Sequence, residues 1–512
     1  MEGNLHILQE YITLLGDNDL LREINISAEV AGSRVRYISY DSQDIEYNTL
    51  FVCKGAHFKP EYLADAMGKG AFAYVGEEKM PVVAEGVTRD VPYIIVKDVR
   101  KAMALIADLY YNQVWKKITL VGITGTKGKS SSAYFMKYIL DDYLKEQKKP
   151  ASAIISSIDN YDGIISEESH LTTPEAIMFH KHMDNAVKSD IEYLTMEVSS
   201  QALKYHRTMG VTYDVGCFLN LGEDHISDVE HSDFADYGNA KKMLFNQCKI
   251  AVVNLDSSFS GEILKTAEAS PTVEKVITFG IDLSSKADMV AYEIRPGKRS
   301  IDFRVKCDSF DEDFRIGMTG LFNVSNALAT IAMSYGLNIP LDNIKAGLKK
   351  AKVSGRMEIF TNKEETITVL VDYAHNQMSF QSLFDSMEKE YPDKKIIIVY
   401  GCPGKKALGR RKELGDITGK HAALSIITEE DAGEESVQAI SEEIARHVEA
   451  AGGKYEIIPD REEAIKTAID KADEDTIILI TGKGRETRQK RGIEYIQTPS
   501  DVDMVQKYLV SK

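Results

Sequence analysis

The stretch Ile118-Thr-Leu-Val-Gly122-Ile-Thr-Gly125-Thr126-Lys127-Gly128-Lys129-Ser130-Ser131 runs from a short apolar segment into the helix-like SSAYFMKYIL, residues 131–140. Its glycines let backbone amides curl round phosphate oxygens. The amino end of the following helix adds a favourable dipole, Lys129 adds a point charge, and the Ser130 hydroxyl suits magnesium. The motif departs from the strict phosphate-loop spacing, because Ile123 stands where its first glycine is required. The strand-like approach and the Lys-Ser pair argue against a merely structural turn. By itself the loop specifies a nucleoside triphosphate and leaves kinases, motor ATPases and ligases open.

Outward from the loop, β-branched apolar runs alternate with helical stretches. They include KIAVVNLD (249–256), KKIIIVYG (394–401), ALSIITEE (423–430) and TIILITGKG (476–484). Such runs read as buried parallel strands feeding loops and helices, with sites at the strand carboxyl ends. The expected class is therefore α/β. A chain of 512 residues is too long for one core, and three blocks are expected: 1–113, 114–355 and 356–512.

Composition narrows the function. A formal net charge of -17 argues against a nucleic-acid binder. The opening MEGNLHILQEYITLLGDNDL lacks a basic region followed by an apolar core, and no long uninterrupted apolar stretch exists. Neither a signal peptide nor a membrane span is expected, and a cytoplasmic location is. The five scattered cysteines read as reduced thiols.

Three further segments carry chemistry. Glu197 ends the apolar run YLTME and can share a magnesium ion with Ser130. His225, in Asn220-Leu-Gly-Glu-Asp224-His225, is an unusual magnesium ligand and reads on chemistry alone as a polar cap. The adjacent Lys241 and Lys242 of YGNAKKMLF read as a solvated helix face.

The ordered set GITGTKGKSS, LTTPEA, MEVSSQAL, FLNLGEDH, YGNAKKMLF, GLFNVSNALAT, GRMEIF, VDYAH and GKGRE changes that reading. It resembles the Mur ligase family, in particular the branch that extends a UDP-muramoyl dipeptide by one amino acid. The matches run in order from about residue 118 to 486, with a fainter one at YDSQDIEYNTLFVCKG. The resemblance implies three domains: an amino-terminal UDP-substrate domain, a central ATPase domain with a mostly parallel sheet, and a Rossmann-like carboxy-terminal domain for the amino acid. It implies that Gly125, Thr126, Lys127, Gly128, Lys129, Ser130 and Ser131 wrap the ATP phosphates, and that Asn323, Asn326, Arg356 and Asp372 contact the nucleotide. Lys129, Glu197, His225 and Lys241 become the catalytic set. Ser130, Glu197, His225 and a carbamylated Lys241 become the magnesium ligands. Ser42, Thr172, Thr173, Ser199 and Arg207 match positions that hold the UDP-linked peptide, and Gly482 and Glu486 match amino-acid contacts.

The implied activity is an ATP-dependent, ADP-forming ligase in peptidoglycan precursor synthesis. It would act as a monomer on UDP-N-acetylmuramoyl-L-alanyl-D-glutamate and a free amino acid, through an acyl phosphate. The sequence departs from the family at the amino-acid end. Thr428-Glu429-Glu430-Asp431-Ala432-Gly433 replaces a DNPR-type run and lacks its arginine, which on charge favours an amine-bearing side chain such as lysine over diaminopimelate. Lys406 stands where an arginine is expected for the α-carboxylate. Lys127, Gln201, Gln43 and Arg485 are further departures, and a ligase for a different carboxylate or amino acid is the alternative reading.

Overall fold

The computed structural model describes residues 6–55, 58–84, 87–169, 171–222 and 230–510. Asp224 and His225 lie outside the described residues. Among these residues, three sheets of five, eleven and six strands follow one another along the chain, with two additional two-stranded ribbons. All five cysteines are free. No helix among the described residues is long and apolar enough to cross a membrane.

The first sheet spans Leu21 to Val96. Only its edge strand Leu21–Asn25 runs antiparallel, against Tyr93–Val96. The central sheet is parallel in its middle and antiparallel at both edges. Its middle strand β1 (Thr119–Thr124) leads through the glycine-rich loop into helix α1 (Lys129–Glu146). β1 is flanked by β2 (Tyr193–Glu197), which precedes the short helix α2 (Ser200–Lys204), and by β3 (Tyr213–Phe218). Helix α3 (Phe234–Lys242) and helix α4 (Phe322–Gly336) follow. Leu120, Val121 and Ile123 of β1 are fully buried, each side chain contributing roughly 1.5–3 kcal/mol. Gly122 leaves room for the Tyr213 ring, which a Cβ would meet at 2.9 Å. α4 is apolar on nearly every side because it lies between the sheet and α1, with no solvent face to serve.

The third sheet contains β4 (Thr368–Asp372), followed by helix α5 (Gln377–Glu390), then β5 (Lys395–Tyr400), β6 (Leu424–Ile427) and β7 (Thr476–Thr481), all four parallel. The apolar runs expected to be strands are β1, β5, β6, β7 and Cys248–Asn254; β4 is not among them.

Register decides where chemistry collects. Glu197 pairs with Ile123 and Phe218 with Thr124, so the loop after β1, the end of β2 and Asn220 after β3 share one sheet edge. In the third sheet, Asp372 pairs with Thr481 and Tyr400 with Ile427. That brings Tyr373, Gly482-Lys483 and Glu430-Asp431 to a second common edge.

Candidate active site

The glycine-rich loop is held from outside. The Asn220 side chain accepts from Lys127 N at 2.8 Å and donates to Lys127 O at 3.0 Å. Tyr237 of α3 donates to the Thr126 hydroxyl at 3.1 Å. Gly128 has φ +86°, and a Cβ there would lie 2.2 Å from Asn326 Oδ1. Glycine is thus required twice over, by the left-handed backbone and by the close approach of α4.

Lys129 Nζ folds back to donate to Gly125 O at 2.9 Å and Thr126 O at 3.3 Å. Lys241 Nζ reaches the same Gly125 carbonyl at 2.9 Å and lies 4.5 Å from the Tyr237 ring centre. Lys241 is only 1% exposed, so the two adjacent lysines do not share a solvated face. Helical spacing turns Lys241 inward while Lys242 pairs with Glu262.

Ser130 Oγ lies 3.0 Å from Ser157 Oγ, and Ser157 donates to Glu197 Oε1 through its amide at 2.8 Å and its hydroxyl at 3.2 Å. Glu197 is 1% exposed. Buried hydroxyl and carboxylate oxygens linked in this way fit a hard cation such as magnesium. Ser157 was not legible as a site residue, because it lies on a turn far from the quoted motifs and only folding brings it to Glu197.

These residues line a cleft of about 500 Å³ with Phe322, Ser325 and Asn326 of α4, Arg356, Asp372–His375, and Met378, Ser379 and Ser382 of α5. Asn323 lies behind Asn326, accepting from its Nδ2 at 3.0 Å. Asp372 accepts from Met357 N and Ala374 N, and burial pushes its carboxyl up against the pull of Arg356. Lys127 Nζ meets His375 Nε2 at 3.4 Å, tying the loop to the segment after β4.

On the substrate side, Thr173 donates to Glu197 O at 2.8 Å and accepts from Ser199 N at 3.0 Å, while Thr172 lines the cleft. Ser199 also caps α2. Arg207 donates to Thr173 O at 3.0 Å and pairs with Glu175 at 2.9 Å; Lys54 pairs with the same Glu175 oxygen at 2.8 Å. The guanidinium expected to grip a substrate carboxylate therefore holds one from its own chain. Ser42 is buried in the first sheet's domain, its carbonyl accepting from Lys69.

At the second edge, Lys483 is ion-paired with Asp431 at 3.1 Å and Glu486 at 2.5 Å. Tyr373 donates to Glu486 at 2.5 Å and carries Arg356 over its ring at 4.3 Å. A continuous polar chain thus links the cleft to the acidic cluster. Glu430 differs from its neighbours. It is 7% exposed, and its carboxyl has no hydrogen-bond partner among the described residues. Burial pushes it up to about 7, opposed by Arg461 and Lys483. Gly482, with φ +105°, leaves it space, since a Cβ would fall 2.2 Å from Glu430 Oε2. The structure does not bring Lys406 into this cluster: it is exposed on the turn before helix Gly409–His421. The turn's left-handed residues Lys405 and Ala407, and the pairing of Lys405 with Glu434, set that turn's path.

Residues 123–334 match the Mur ligase middle domain, and residues 355–484 match the Mur ligase, glutamate ligase domain. A UDP-N-acetylmuramyl-tripeptide synthetase of Lactobacillus acidophilus is 35% identical, covering 98% of this chain and 97% of its own. The UDP-N-acetylmuramoyl-L-alanyl-D-glutamate–L-lysine ligase of Enterococcus faecalis is 34% identical, covering 93% of both chains. The corresponding 2,6-diaminopimelate ligase of Clostridium perfringens is also 34% identical, over 89% of this chain and 91% of its own. A solved diaminopimelate ligase superposes with a TM-score of 0.66 at 22% identity, covering 99% of both chains, which shows the shared fold.

Proposed function

This chain belongs to the Mur ligase family, and from that premise we propose that it adds a diamino acid, L-lysine in preference to diaminopimelate, to UDP-N-acetylmuramoyl-L-alanyl-D-glutamate. It is an ATP-dependent, ADP-forming acid–amino-acid ligase of peptidoglycan precursor synthesis. Residues 1–113 take the UDP end of the substrate, 114–355 the ATP and 356–512 the amino acid, in the cytoplasm where these precursors meet.

The chemistry has two balanced steps. A substrate carboxylate oxygen bonds to the γ-phosphorus of ATP as the bond to ADP breaks. The amine nitrogen then bonds to the acyl carbon, the acyl–oxygen bond to phosphate breaks, and the amine gives up a proton. The amides of residues 125–131 cradle the phosphates, and Lys129 swings from the loop carbonyls to the oxygens that gain charge. Ser130 and Glu197 would hold magnesium, which supplies further charge neutralisation on the phosphate oxygens. Thr173 and Ser199 orient the peptide, Arg207 joining them on release from Glu175, and the cleft walls exclude water.

Lys241 is the proposed carbamylation site. Its buried amine reaches the phosphate loop at Gly125 O, and carbamylation turns this cation into a carboxylate. Activity is expected to fall when dissolved carbon dioxide is stripped and to return with bicarbonate; activity indifferent to both counts against the carbamate.

The observation that carries the lysine preference is Glu430, a buried carboxyl without a hydrogen-bond partner among the described residues. An ammonium group would pair with its ionised form. Its folded value near 7 lies above the ordinary value of 4.5, so the folded chain holds this proton between those limits. Stability from this group is therefore present at low pH and is lost as pH rises toward 7, whereas affinity for an ammonium side chain rises with pH. Raising pH from 6 to 8 should lower the KM for lysine by about ten-fold more in wild type than in Glu430→Gln, one pH unit of ionisation being a factor of ten. Equal pH slopes in the two proteins, or faster turnover with diaminopimelate, would remove the lysine preference.

A ligase for a different carboxylate is the second reading, favoured by the engagement of Arg207 with Glu175. Phosphate release with UDP-muramoyl dipeptide and each diamino acid decides between them: no release with any of them selects the second.

A further inference from the structure

Helix α4 supplies one wall of the cleft through Phe322, Ser325 and Asn326, and α5 supplies the other through Met378, Ser379 and Ser382. The amino end of α4 has no capping side chain of its own; its N-cap position is Leu321. Helix starts leave backbone amides that need acceptors. Here the acceptors come from α5. Glu390 Oε1 accepts from Gly320 N at 3.0 Å and from Leu321 N at 3.1 Å, and Ser386 Oγ accepts from Leu321 N at 2.8 Å. Ser382, Ser386 and Glu390 follow one another at helical spacing, so one face of α5 both lines the cleft and caps the opposite wall. Gly320 has φ +87°, which keeps its amide and that of Leu321 turned toward the carboxylate.

We propose that Glu390, with Ser386, is a positioning residue that fixes the separation of the two cleft walls and thereby the affinity for ATP. The inference rests on the assignment of ATP to this cleft. Burial of Glu390 raises its carboxyl to about 7, a cost accepted because both amides of the α4 start point at it. Both residues act on the α4 wall that lines the nucleotide cleft, so the effect is specific to nucleotide.

The test compares wild type, Glu390→Ala, Glu390→Gln and Ser386→Ala by equilibrium binding of a non-hydrolysable ATP analogue and by steady-state kinetics. Glu390→Ala is expected to weaken analogue binding and raise the KM for ATP by about ten-fold, with the KM for the UDP-linked substrate unchanged and kcat at saturating ATP within about two-fold; ten-fold corresponds to about 1.4 kcal/mol. Glu390→Gln keeps an acceptor oxygen at the Oε1 position and should restore binding to within about two-fold of wild type. If Glu390→Ala does not fold, Ser386→Ala serves, with an expected three-fold or so weakening. Unchanged analogue affinity in a folded variant, or an equal rise in every KM, overturns the latch. Absence of analogue binding by wild type overturns the cleft assignment and the latch with it.

Discussion

Lys129→Ala is expected to lower kcat/KM for ATP by at least about 10³-fold, roughly 4 kcal/mol of transition-state stabilisation. The side chain sits at the start of α1, on a loop whose path is set independently by Asn220, Tyr237 and Asn326. Removing Lys129 therefore deletes a movable charge and leaves the phosphate cradle standing. Its two hydrogen bonds to loop carbonyls are local, so thermal stability should change by only a few degrees, about 1 kcal/mol. Phosphate-release kinetics beside a melting curve separate the two effects. Near wild-type turnover in the alanine variant would refute the phosphate-binding assignment of the loop.

The second large effect is expected at Glu197. Glu197→Gln keeps an oxygen where Oε1 accepts from Ser157, so the buried hydrogen-bond geometry survives while the charge disappears. Turnover should fall on the order of 10³-fold, and the magnesium concentration giving half-maximal rate should rise, because metal charge stabilisation is worth several kcal/mol. A variant with lowered activity but an unchanged magnesium requirement would make Glu197 a structural strand-end residue instead. Ser157→Ala is the matching control: it removes a bridge to Glu197 without altering the charge.

Much of this was legible in one dimension. Backbone chemistry forces a glycine-rich turn between an apolar strand and a helix to present amides to an anion, so residues 125–131 could be read directly. Strand identity followed from β-branched runs such as those of β1, β5 and β7, and from the apolar run that ends in Glu197. Lys241 was legible only through family resemblance, since two neighbouring lysines on a helix read as surface, and the phase of α3 decides which one is buried.

Sequence by itself determined the α/β class, the phosphate loop and the ligase family, because each depends on local pattern or on an ordered set of motifs. Tertiary structure alone decided which polar groups meet across long separations. It placed Ser157 between Ser130 and Glu197, spent Arg207 on Glu175, left Lys406 exposed on the turn before the helix at Gly409, and left Glu430 buried with no hydrogen-bond partner among the described residues. It also turned one face of α5 into the cap of α4. The physical reason is register. Parallel pairing of β2 with β1, and of β7 with β4 and β5, fixes which strand ends share an edge, and no motif in the chain encodes that pairing by its own residues alone.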